Sequence, residues 1–423
     1  MKKKKKNPDR RKQNGSKSAM LMTEQLIQWL GSFGADEDGG VTRFLYTPSW
    51  KEAQEALAGK MEELGLSVRY DDAGNLCGRL QGTDGSGSCI LTGSHVDTVQ
   101  RGGKYDGAYG IVAGMAALSR LREQYGMPRT TIEVVAFCEE EGSRFPYNYW
   151  GSTFMTGTAT YKDVEHALDA QGVSLVQAME QAGFGPGTQG QGPRSDVEAF
   201  IELHVEQGAI LEQEGRSIGI VEQIVGLQRY TIHVQGEANH AGTTPMAYRR
   251  DAARAAAAMI TAIMDRAEEL GAPLVATVGQ MELYPNTPNV IPGKATFTLD
   301  VRHPDGARLE EACGSLLDII ADGARERGVE VSTERWMNVA PIGMDAGLTG
   351  MIEDICVDQG RSYRRMPSGA GHDAQIFASH CKTAMVFVPS RQGISHSPLE
   401  YTEPGHLEEG VQVLTELLRR LAY

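Results

Sequence analysis

The chain has 423 residues, which is too long for one ordinary hydrophobic core and therefore predicts two domains. Its residues are 41% apolar, 23% charged and 7% aromatic, a composition typical of soluble globular proteins. No apolar run approaches the ~20 residues that a membrane helix needs, and no signal peptide is recognisable, so we expect no contact with a membrane. The net charge is −14, but the first 20 residues hold nine Lys or Arg against one Asp, which leaves −22 on the remainder and argues against nucleic acid as the main partner.

Residues 1–20 are predicted to form a disordered basic leader, because nothing folded accompanies their charge. A nucleic-acid arm and a membrane-surface tether are the alternatives. The six cysteines are scattered and show no CxxC pairing. This pattern predicts reduced thiols in a cytoplasmic protein, and neither a disulfide framework nor a cysteine-based zinc site.

Residues 21–221 alternate short apolar runs with longer amphipathic ones, which predicts an α/β domain with a mostly parallel sheet covered by helices. In chain order we expect a hairpin in SVRYDDAGNLCGRL, a strand in SCILTGS, a helix in GAYGIVAGMAALSRLREQYG, and strands in TIEVVAFC and AFIELHV.

A different order begins near residue 222. It comprises a strand in RYTIHVQG, a helix in DAARAAAAMITAIMDRAEEL, strands in LVATVGQMELY and KATFTLDVRH, a helix in GARLEEACGSLLDIIADGARERG and a strand in VEVSTERW. This β-α-β-β-α-β order predicts a ferredoxin-like domain over residues 222–337, inserted in the larger domain. The first pattern returns over residues 338–423, with a helix near 345–360, a strand in TAMVFVPS and a C-terminal helix.

Acidic and imidazole side chains follow several of the predicted strands, and each alone is more often structural than functional. They are His95 with Asp97, Asp106, the run Glu139–Glu141, His204 and His396. In open parallel sheets, sites form at the carboxyl ends of strands, so we expect these side chains to meet.

A cation would relieve the repulsion and lost hydration of carboxylates held beside apolar surface. Imidazole and carboxylate ligands without cysteine suit Zn, Mn, Co or Ni, and a shared carboxylate would hold two such ions. Asp97 stands two residues from His95, on the same side of an extended segment. We therefore expect its carboxylate to accept the other ring N–H of His95, and the glycines of YDGAYG to let the main chain approach the cluster.

Nine segments together resemble the M20-type metallo-amidohydrolases that cleave carbamoyl and ureido compounds. They are GSHVDTV, YDGAYG, EEEGSRF, ELHVEQG, NHAGTTPM, NVIPG, DVRH, SGAGHDA and GISHSP. The resemblance covers nearly all of residues 21–423, in order, and excludes the lysine-rich leader. Within the family, SFGADEDGGVTRFLYTPSW, GSRFPYNYWGS and VFVPSRQGISHSP are most similar to the branch that hydrolyses allantoate.

This resemblance implies a zinc-exopeptidase-like catalytic domain over residues 21–221 and 338–423, which carries the inserted domain as a lid and dimerisation domain. It implies two divalent metal ions per subunit, Zn or Mn in the first place and Co or Ni as further options. The implied ligands are His95, Asp106 and His204 for one ion, and Asp106, Glu141 and His396 for the other, with Asp106 bridging. Glu140 is implied as the general base, with Asp97 as its catalytic neighbour.

The resemblance also implies residues that contact a small anionic ureido substrate. His240 would reach the active site of the partner in a homodimer, Asn289 and Arg302 would hold the substrate carboxylate, and Gly371 and His372 would lie in a loop that closes the pocket. From the residues alone, Arg302 could equally be a surface strand residue, and His240 could cap the following helix.

The implied reaction is hydrolysis of allantoate to ureidoglycine, ammonia and carbon dioxide. An N-carbamoyl-L-amino acid hydrolase, a β-ureidopropionase, and a metallo-aminoacylase or peptidase of the wider clan are the enzymatic alternatives. A catalytically silent dimeric binding protein is the alternative of another class. The complete ligand set together with Glu140 argues against it, because a silent relative has no reason to keep both.

Overall fold

The computed structural model describes residues 23–190 and 192–423, so the predicted leader lies outside the described residues. The chain divides into two compact units. Unit one runs to Glu222 and resumes from Met344 to Tyr423, and unit two is Gln223–Gly343. No helix among the described residues is both long enough and apolar enough to cross a bilayer. All six cysteines are free thiols, and five of them are buried.

A nine-stranded sheet forms the centre of the larger unit, although its short edge strand at Ile342–Gly343 falls within the bounds of unit two. Elements are numbered along the whole chain. The strands of this sheet are β1 (Ser67–Tyr70), β2 (Leu76–Leu80), β3 (Cys89–His95), β4 (Thr131–Phe137), β5 (Val197–Val205), β6 (Ile218–Ile224), β14 (Ile342–Gly343), β15 (Tyr363–Ser368) and β16 (Lys382–Val388). Their order is β1-β2-β4-β3-β5-β16-β6-β14, with β15 beside β6.

Only the middle of this sheet is parallel. The neighbours β4–β3, β3–β5 and β5–β16 are parallel, whereas β1–β2, β2–β4, β16–β6 and β6–β14 are antiparallel. The expectation of a mostly parallel sheet is therefore wrong at both edges. The expectation holds for the four central strands β4, β3, β5 and β16, which are buried and largely apolar.

Helices pack on both faces of the sheet. They are α1 (described over residues 23–30), α2 (Pro48–Glu63), α3 (Ala108–Tyr125), α4 (Trp150–Thr156), α5 (Tyr161–Val164), α6 (Leu175–Ala182), α7 (Ile210–Glu214), α10 (Ala346–Asp358), α11 (Asp373–Phe377) and α12 (Pro404–Ala422). Helix α3 packs closely against the sheet at Gly110. A Cβ added at this glycine would lie only 2.7 Å from the Leu203 carbonyl oxygen of β5. Phe377 of α11 stacks against Phe137 and Phe200, with ring centroids 5.5 and 4.5 Å apart.

Unit two has its own sheet and its own core. Its elements are β7 (Gly226–Gln235), β8 (Asn239–His240), α8 (Ala252–Leu270), β9 (Val275–Thr277), β10 (Met281–Tyr284), β11 (Val290–Ile291), β12 (Lys294–His303), α9 (Gly306–Arg327) and β13 (Glu330–Val339). The antiparallel order is β10-β12-β7-β13, with β9 also beside β12. Alternate residues of β7 and β12, such as Ile232 and Phe297, pack with Met259 of α8 and Leu316 of α9.

One predicted strand of unit two is wrong in detail. LVATVGQMELY forms two short strands, β9 and β10, instead of one. The main-chain N–H of Gln280 donates to the Thr298 hydroxyl at 3.1 Å. The Thr298 N–H donates in return to the Gln280 carbonyl oxygen at 3.2 Å, so one side-chain and one main-chain hydrogen bond join the segment to β12 where the regular pairing is interrupted.

Candidate metal centre

The candidate ligands stand where the parallel strands end. His95 is the last residue of β3, His204 is the penultimate residue of β5, and Glu139–Glu141 begin two residues after β4. His396 lies in the loop that follows β16. Because these strands are parallel neighbours, their carboxyl ends meet at one edge of the sheet and bring together residues that are distant in the chain.

Asp106 lies at the middle of the cluster. Its Oδ1 is 3.4 Å from His95 Nε2 and 3.2 Å from His204 Nε2. Its Oδ2 is 3.1 Å from His396 Nε2, which is also 3.3 Å from Glu141 Oε1. The structure thus brings all five predicted ligands together. Oδ1 of Asp106 lies toward His95 and His204, and Oδ2 lies toward His396, which also contacts Glu141.

The ring orientation of two histidines can be derived from their outer contacts. His95 Nδ1 lies 3.0 Å from the Asp97 carbonyl oxygen, and His204 Nδ1 lies 2.8 Å from the Val205 carbonyl oxygen. A carbonyl oxygen only accepts, so each Nδ1 carries the proton and each Nε2 presents a lone pair to Asp106. Lone pairs that face a carboxylate oxygen repel it unless a cation lies among them.

The donor atoms form groups of the size that one ion needs. Ligand atoms of His95, Asp106 and His204 lie within 4.8 Å of one another, as do those of Asp106, Glu141 and His396. Imidazole nitrogens oriented by main-chain carbonyls, together with carboxylate oxygens, are ligands that Zn and Mn accept. The residues present therefore fit divalent metal ions.

The cluster also stabilises positive charge. Burial by itself raises the pKa of the Asp106 carboxyl, but the imidazoles of His204, His396 and His95 against it hold that pKa well below its usual range. Hydrogen bonds to Asp106 and then Glu141 raise the pKa of His396 to about 10. An electrostatic environment of this sign favours a bound cation.

Asp97 orients the loop after β4, and the expected contact of its carboxylate with His95 is wrong. Its Oδ1 and Oδ2 accept the main-chain N–H groups of Glu140 and Glu141, each at 3.1 Å. The same carboxylate is 3.7 Å from His95 Nδ1, which instead donates to the Asp97 carbonyl oxygen. Asp97 therefore fixes His95 through its main chain and the two glutamates through its side chain.

Glu140, the predicted general base, lies beside the predicted ligands. It is buried, and one of its oxygens lies within 4.8 Å of the ligand atoms of His95 and Glu141. Burial raises the pKa of Glu140 well above its ordinary value, and the charge of His95 only partly opposes this effect. A carboxyl group with a raised pKa beside a cation-stabilising cluster is suited to take and return a proton.

Main-chain strain is concentrated in the loops near the carboxyl ends of the parallel strands. Eight non-glycine residues of the described chain have positive φ, and four of them are Glu139 (50°), Tyr149 (61°), Gln207 (57°) and His396 (54°). Such backbone costs ~1–3 kcal/mol per residue and persists where the surrounding structure fixes it. Glu139 is held by its own loop, because its Oε1 accepts the Phe145 N–H at 3.3 Å, so it is not among the grouped ligands.

Gly107 has a geometric role in YDGAYG. Its φ is 64°, and an added Cβ would lie 2.5 Å from the His95 ring and carbonyl oxygen. Glycine therefore lets Asp106 and the start of α3 approach His95. The prediction that glycine allows a close main-chain approach is confirmed at this position.

Gly371 and His372, both expected in a pocket-closing loop, have different environments. Gly371 is partly exposed, and a Cβ there would lie 2.1 Å from the Tyr149 hydroxyl. His372 is 2% exposed, and its ring packs edge-on against His204 with centroids 4.6 Å apart. Its Nε2 is 3.1 Å from the Ser368 hydroxyl. His372 is therefore a buried residue whose side chain supports the His204 ring, and its substrate contact stays a prediction.

The three other predicted substrate residues lie in unit two. His240 of β8 is brought near Asn289 by the pairing of β8 with β11, and the Ala241 N–H donates to the Asn289 carbonyl oxygen at 3.1 Å. The alternative that His240 caps the next helix is wrong, because Pro245 precedes the short 3-10 helix Met246–Tyr248 and Asp251 is the N-cap of α8. Arg302 is half-buried near the end of β12.

Arg302 has a carboxylate beside it. Its Nε lies 2.8 Å from Asp300 Oδ1 on the same strand. Hydrogen bonds from Arg302 and Arg229 hold the pKa of Asp300 below its usual value, although burial acts in the opposite direction. Arg302 is therefore oriented on the sheet, and its guanidinium is not a disordered surface group.

Sequence reasoning missed two residues that contact Asp106. Gln207 Nε2 and the Ser395 hydroxyl lie 2.9 and 3.3 Å from Asp106 Oδ2. The available signal was position, because Gln207 follows His204 in ELHVEQG and Ser395 precedes His396 in GISHSP. Both residues help to orient the carboxylate that the two ligand groups share.

A buried arginine was also missed. Arg43 is 1% exposed, and its side chain donates to the carbonyl oxygens of Val96 and Leu30 at 2.9 and 2.7 Å. Burial lowers the pKa of Arg43 to about 10, while nearby Asp97 acts to raise it. The guanidinium thus compensates the charge of buried Asp97 and holds the turn after β3.

The fold and the site together define a metallohydrolase of the α/β class, and comparison with known proteins places it in a family. The chain belongs to peptidase family M20/M25/M40, whose family model matches residues 91–420.

Individual relatives extend this likeness over nearly the whole chain. An allantoate amidohydrolase of Bacillus subtilis is 46% identical over 397 residues, which cover 94% of this chain and 96% of that protein. An allantoate amidohydrolase of Escherichia coli is 46% identical over 400 residues, 95% of this chain and 97% of that protein. Among solved structures, an amidase of the hydantoinase/carbamoylase family from Burkholderia multivorans has a TM-score of 0.89 at 33% identity, and the match covers 95% of this chain and 98% of that chain.

Proposed function

We propose that this chain is an allantoate amidohydrolase, which hydrolyses one ureido group of allantoate to give ureidoglycine, ammonia and carbon dioxide. The observation that carries the proposal is the convergence of His95, Asp106, Glu141, His204 and His396 at one sheet edge, with Glu140 beside them. The similarity to allantoate amidohydrolases along nearly the entire chain supports this substrate.

Two divalent ions, Zn or Mn in the first place and Co or Ni as further options, are proposed for the centre. His95, Asp106 and His204 would hold one, and Asp106, Glu141 and His396 the other. When bound, such a pair supplies Lewis acidity, which lowers the pKa of water and stabilises negative charge. The distances from Asp106 to three imidazoles support the shared role of this carboxylate.

Glu140 is proposed as the general base. It takes a proton from the attacking water, whose oxygen forms a bond with the ureido carbon. When the bond from that carbon to the substrate nitrogen breaks, Glu140 delivers the proton to this nitrogen. The released carbamate then breaks down to ammonia and carbon dioxide. The raised pKa of Glu140 supports its acceptance of the proton from water and the return of that proton to the leaving nitrogen.

Unit two is proposed as a ferredoxin-like lid and dimerisation domain. Its antiparallel order β10-β12-β7-β13 with two helices supports this assignment. The sequence-based limits, residues 222–337 for this domain and residues 21–221 with 338–423 for the catalytic domain, stay a prediction, and the compact unit itself is Gln223–Gly343. In a homodimer, His240 would act in the partner's active site and donate to the oxygen that becomes negative.

Arg302 and Asn289 are proposed to bind the substrate carboxylate. A guanidinium can hold a carboxylate through two parallel N–H bonds, which a lysine cannot match. The pairing of Arg302 with Asp300 supports an oriented guanidinium. We also propose a cytoplasmic location, which the six free thiols support, and we assign no nucleic-acid or membrane partner.

An ammonia-release assay tests the proposal, because ureido hydrolysis of each candidate substrate yields ammonia. Purified enzyme is loaded with Mn, Zn, Co or Ni and given allantoate, N-carbamoyl-methionine or N-carbamoyl-β-alanine. We expect the highest kcat/KM on allantoate. A higher kcat/KM on N-carbamoyl-methionine or N-carbamoyl-β-alanine would instead identify a carbamoyl amino acid hydrolase or a β-ureidopropionase, and peptide cleavage without ammonia would identify a peptidase.

A further inference from the structure

Tyr149 carries a phenol that the proposed chemistry does not use, and its main chain is bonded to the loop of Glu140. Its main-chain N–H donates to the Glu140 carbonyl oxygen at 3.2 Å. Its backbone is left-handed, with φ 61° and ψ 28°, at the residue before α4. A bulky aromatic residue rarely adopts this conformation, so the surrounding fold determines where the ring points.

The segment around Tyr149 is tied to the loop that carries Glu140. The N–H of Trp150 donates to the Glu139 carbonyl oxygen at 2.9 Å, and the N–H of Gly151 donates to the Cys138 carbonyl oxygen at 2.8 Å. Three successive main-chain bonds therefore hold the tyrosine in register with the glutamates, and its position relative to Glu140 is fixed.

Gly371 shows where the hydroxyl lies. A Cβ added at Gly371 would be 2.1 Å from the Tyr149 hydroxyl oxygen and 3.3 Å from its Cζ. The same Cβ would be 3.1 Å from Gln375 Oε1, and the hydroxyl shares a hydrogen bond with the Gln375 side chain. The phenol thus occupies space that is open only because residue 371 has no side chain.

The phenol lies in the field of nearby carboxylates and keeps its proton. Burial raises the pKa of Tyr149 well above its usual value, and the negative charges of Glu140, Asp373 and Glu141 act in the same direction. The side chain is nevertheless only half-buried, so the phenol is not sealed inside the core. A neutral donor is therefore available on the segment that is bonded to the Glu140 loop.

We propose that the Tyr149 hydroxyl donates a hydrogen bond to the carbonyl oxygen of the substrate ureido group as that oxygen becomes negative, and that Gly371 keeps the space for this hydroxyl. The inference rests on the proposed function. A preoriented donor aimed at developing charge accelerates the chemical step more than it tightens substrate binding.

Tyr149→Phe removes only the hydroxyl and is the primary test in the metal-loaded enzyme. We expect kcat on allantoate to fall about 10- to 100-fold, with KM within about threefold of wild type. Metal content and melting temperature are expected to match wild type. Tyr161→Phe is the matched control, because the Tyr161 hydroxyl is buried without a hydrogen-bond partner and its removal leaves kcat unchanged.

Gly371→Ala tests the same hydroxyl from the opposite side. The added methyl displaces the phenol, so we expect a loss of kcat similar to that of Tyr149→Phe. In the double variant the phenylalanine relieves the contact with the methyl, so the loss is expected to equal that of Tyr149→Phe alone. Losses that multiply would overturn the link between Gly371 and the hydroxyl.

Two further outcomes overturn the inference, and they are distinguishable. If wild-type enzyme hydrolyses allantoate and Tyr149→Phe keeps kcat within about twofold, or loses its metal, the role of the hydroxyl is refuted while the proposed function stands. If wild-type enzyme hydrolyses none of the three ureido substrates, the proposed function fails and the inference fails with it.

Discussion

Asp106 Oδ2 lies 3.1 Å from His396 Nε2, although Asp106 precedes α3 and His396 follows β16 near the other end of the chain. The other oxygen of the same carboxylate faces His95 and His204. Asp106 is thus common to both groups of ligand atoms, whereas His396 belongs to one of them.

This relationship predicts different metal contents for two variants. We expect about two divalent ions per chain in wild type, about one in His396→Ala, and close to none in Asp106→Ala, because a ligand shared by both ions supports each of them. Metal analysis after dialysis measures these ratios. An Asp106→Ala protein that keeps two ions would exclude a shared carboxylate.

Glu140→Gln is expected to lower kcat by about 10²- to 10⁴-fold, since an amide of the same shape cannot take the proton from water. Metal content is expected to stay at the wild-type value, because Glu140 is not one of the five proposed ligands. The measurement is steady-state ammonia release beside metal analysis. A variant that retains more than about a tenth of the wild-type kcat would remove Glu140 as the base.

The location of the centre was predictable from sequence for a physical reason. His95 and His204 stand at the ends of continuous apolar runs, and the ends of neighbouring parallel strands meet. The assignment of Glu140 and Glu141 to separate roles came from the resemblance to a family, since three adjacent carboxylates look alike in the sequence.

The contacts that sequence reasoning missed depend on atoms that no pattern encodes. Asp97 was expected to contact His95 through its carboxylate, but its carbonyl oxygen accepts that bond. The position of Tyr149 depends on one left-handed φ, and the burial of His372 depends on how α11 packs. The short helices α4, α5 and α6 span too few turns to establish an apolar period.

Arg302→Ala is expected to raise KM for allantoate about 10- to 100-fold with a smaller change in kcat, because a carboxylate contact is made in both the ground and transition states. Arg302→Lys is expected to restore little of this loss. Arg229→Ala is the matched control, since Arg229 contacts the same Asp300. An unchanged KM and kcat/KM in Arg302→Ala, or an equal effect of Arg229→Ala, would refute the assignment.

His372 predicts a pH dependence of stability. Burial, and then the charge of His204, lower the pKa of folded His372 well below its ordinary value. An unfolded histidine has a pKa of about 6.5, so below that pH the unfolded chain binds a proton that the folded chain does not. Protonation of unfolded His372 therefore lowers the free energy of unfolding progressively as the pH falls below about 6.5, and has little effect above that pH.

We therefore expect wild-type unfolding free energy to fall by ~2 kcal/mol more than that of His372→Gln between pH 7 and pH 5. Urea unfolding of metal-loaded protein at several pH values measures the difference. His166→Gln is the control, because the His166 side chain is 91% exposed. Parallel stability curves for wild type and His372→Gln would show that His372 is not held neutral.

The most direct test is the rate of ammonia release from allantoate while metal-free enzyme is titrated with Mn or Zn. We predict no turnover by the metal-free protein, and activity that rises with added metal and reaches its plateau near two ions per chain. Undiminished turnover of allantoate by protein stripped of metal would contradict a hydrolase built on these five ligands.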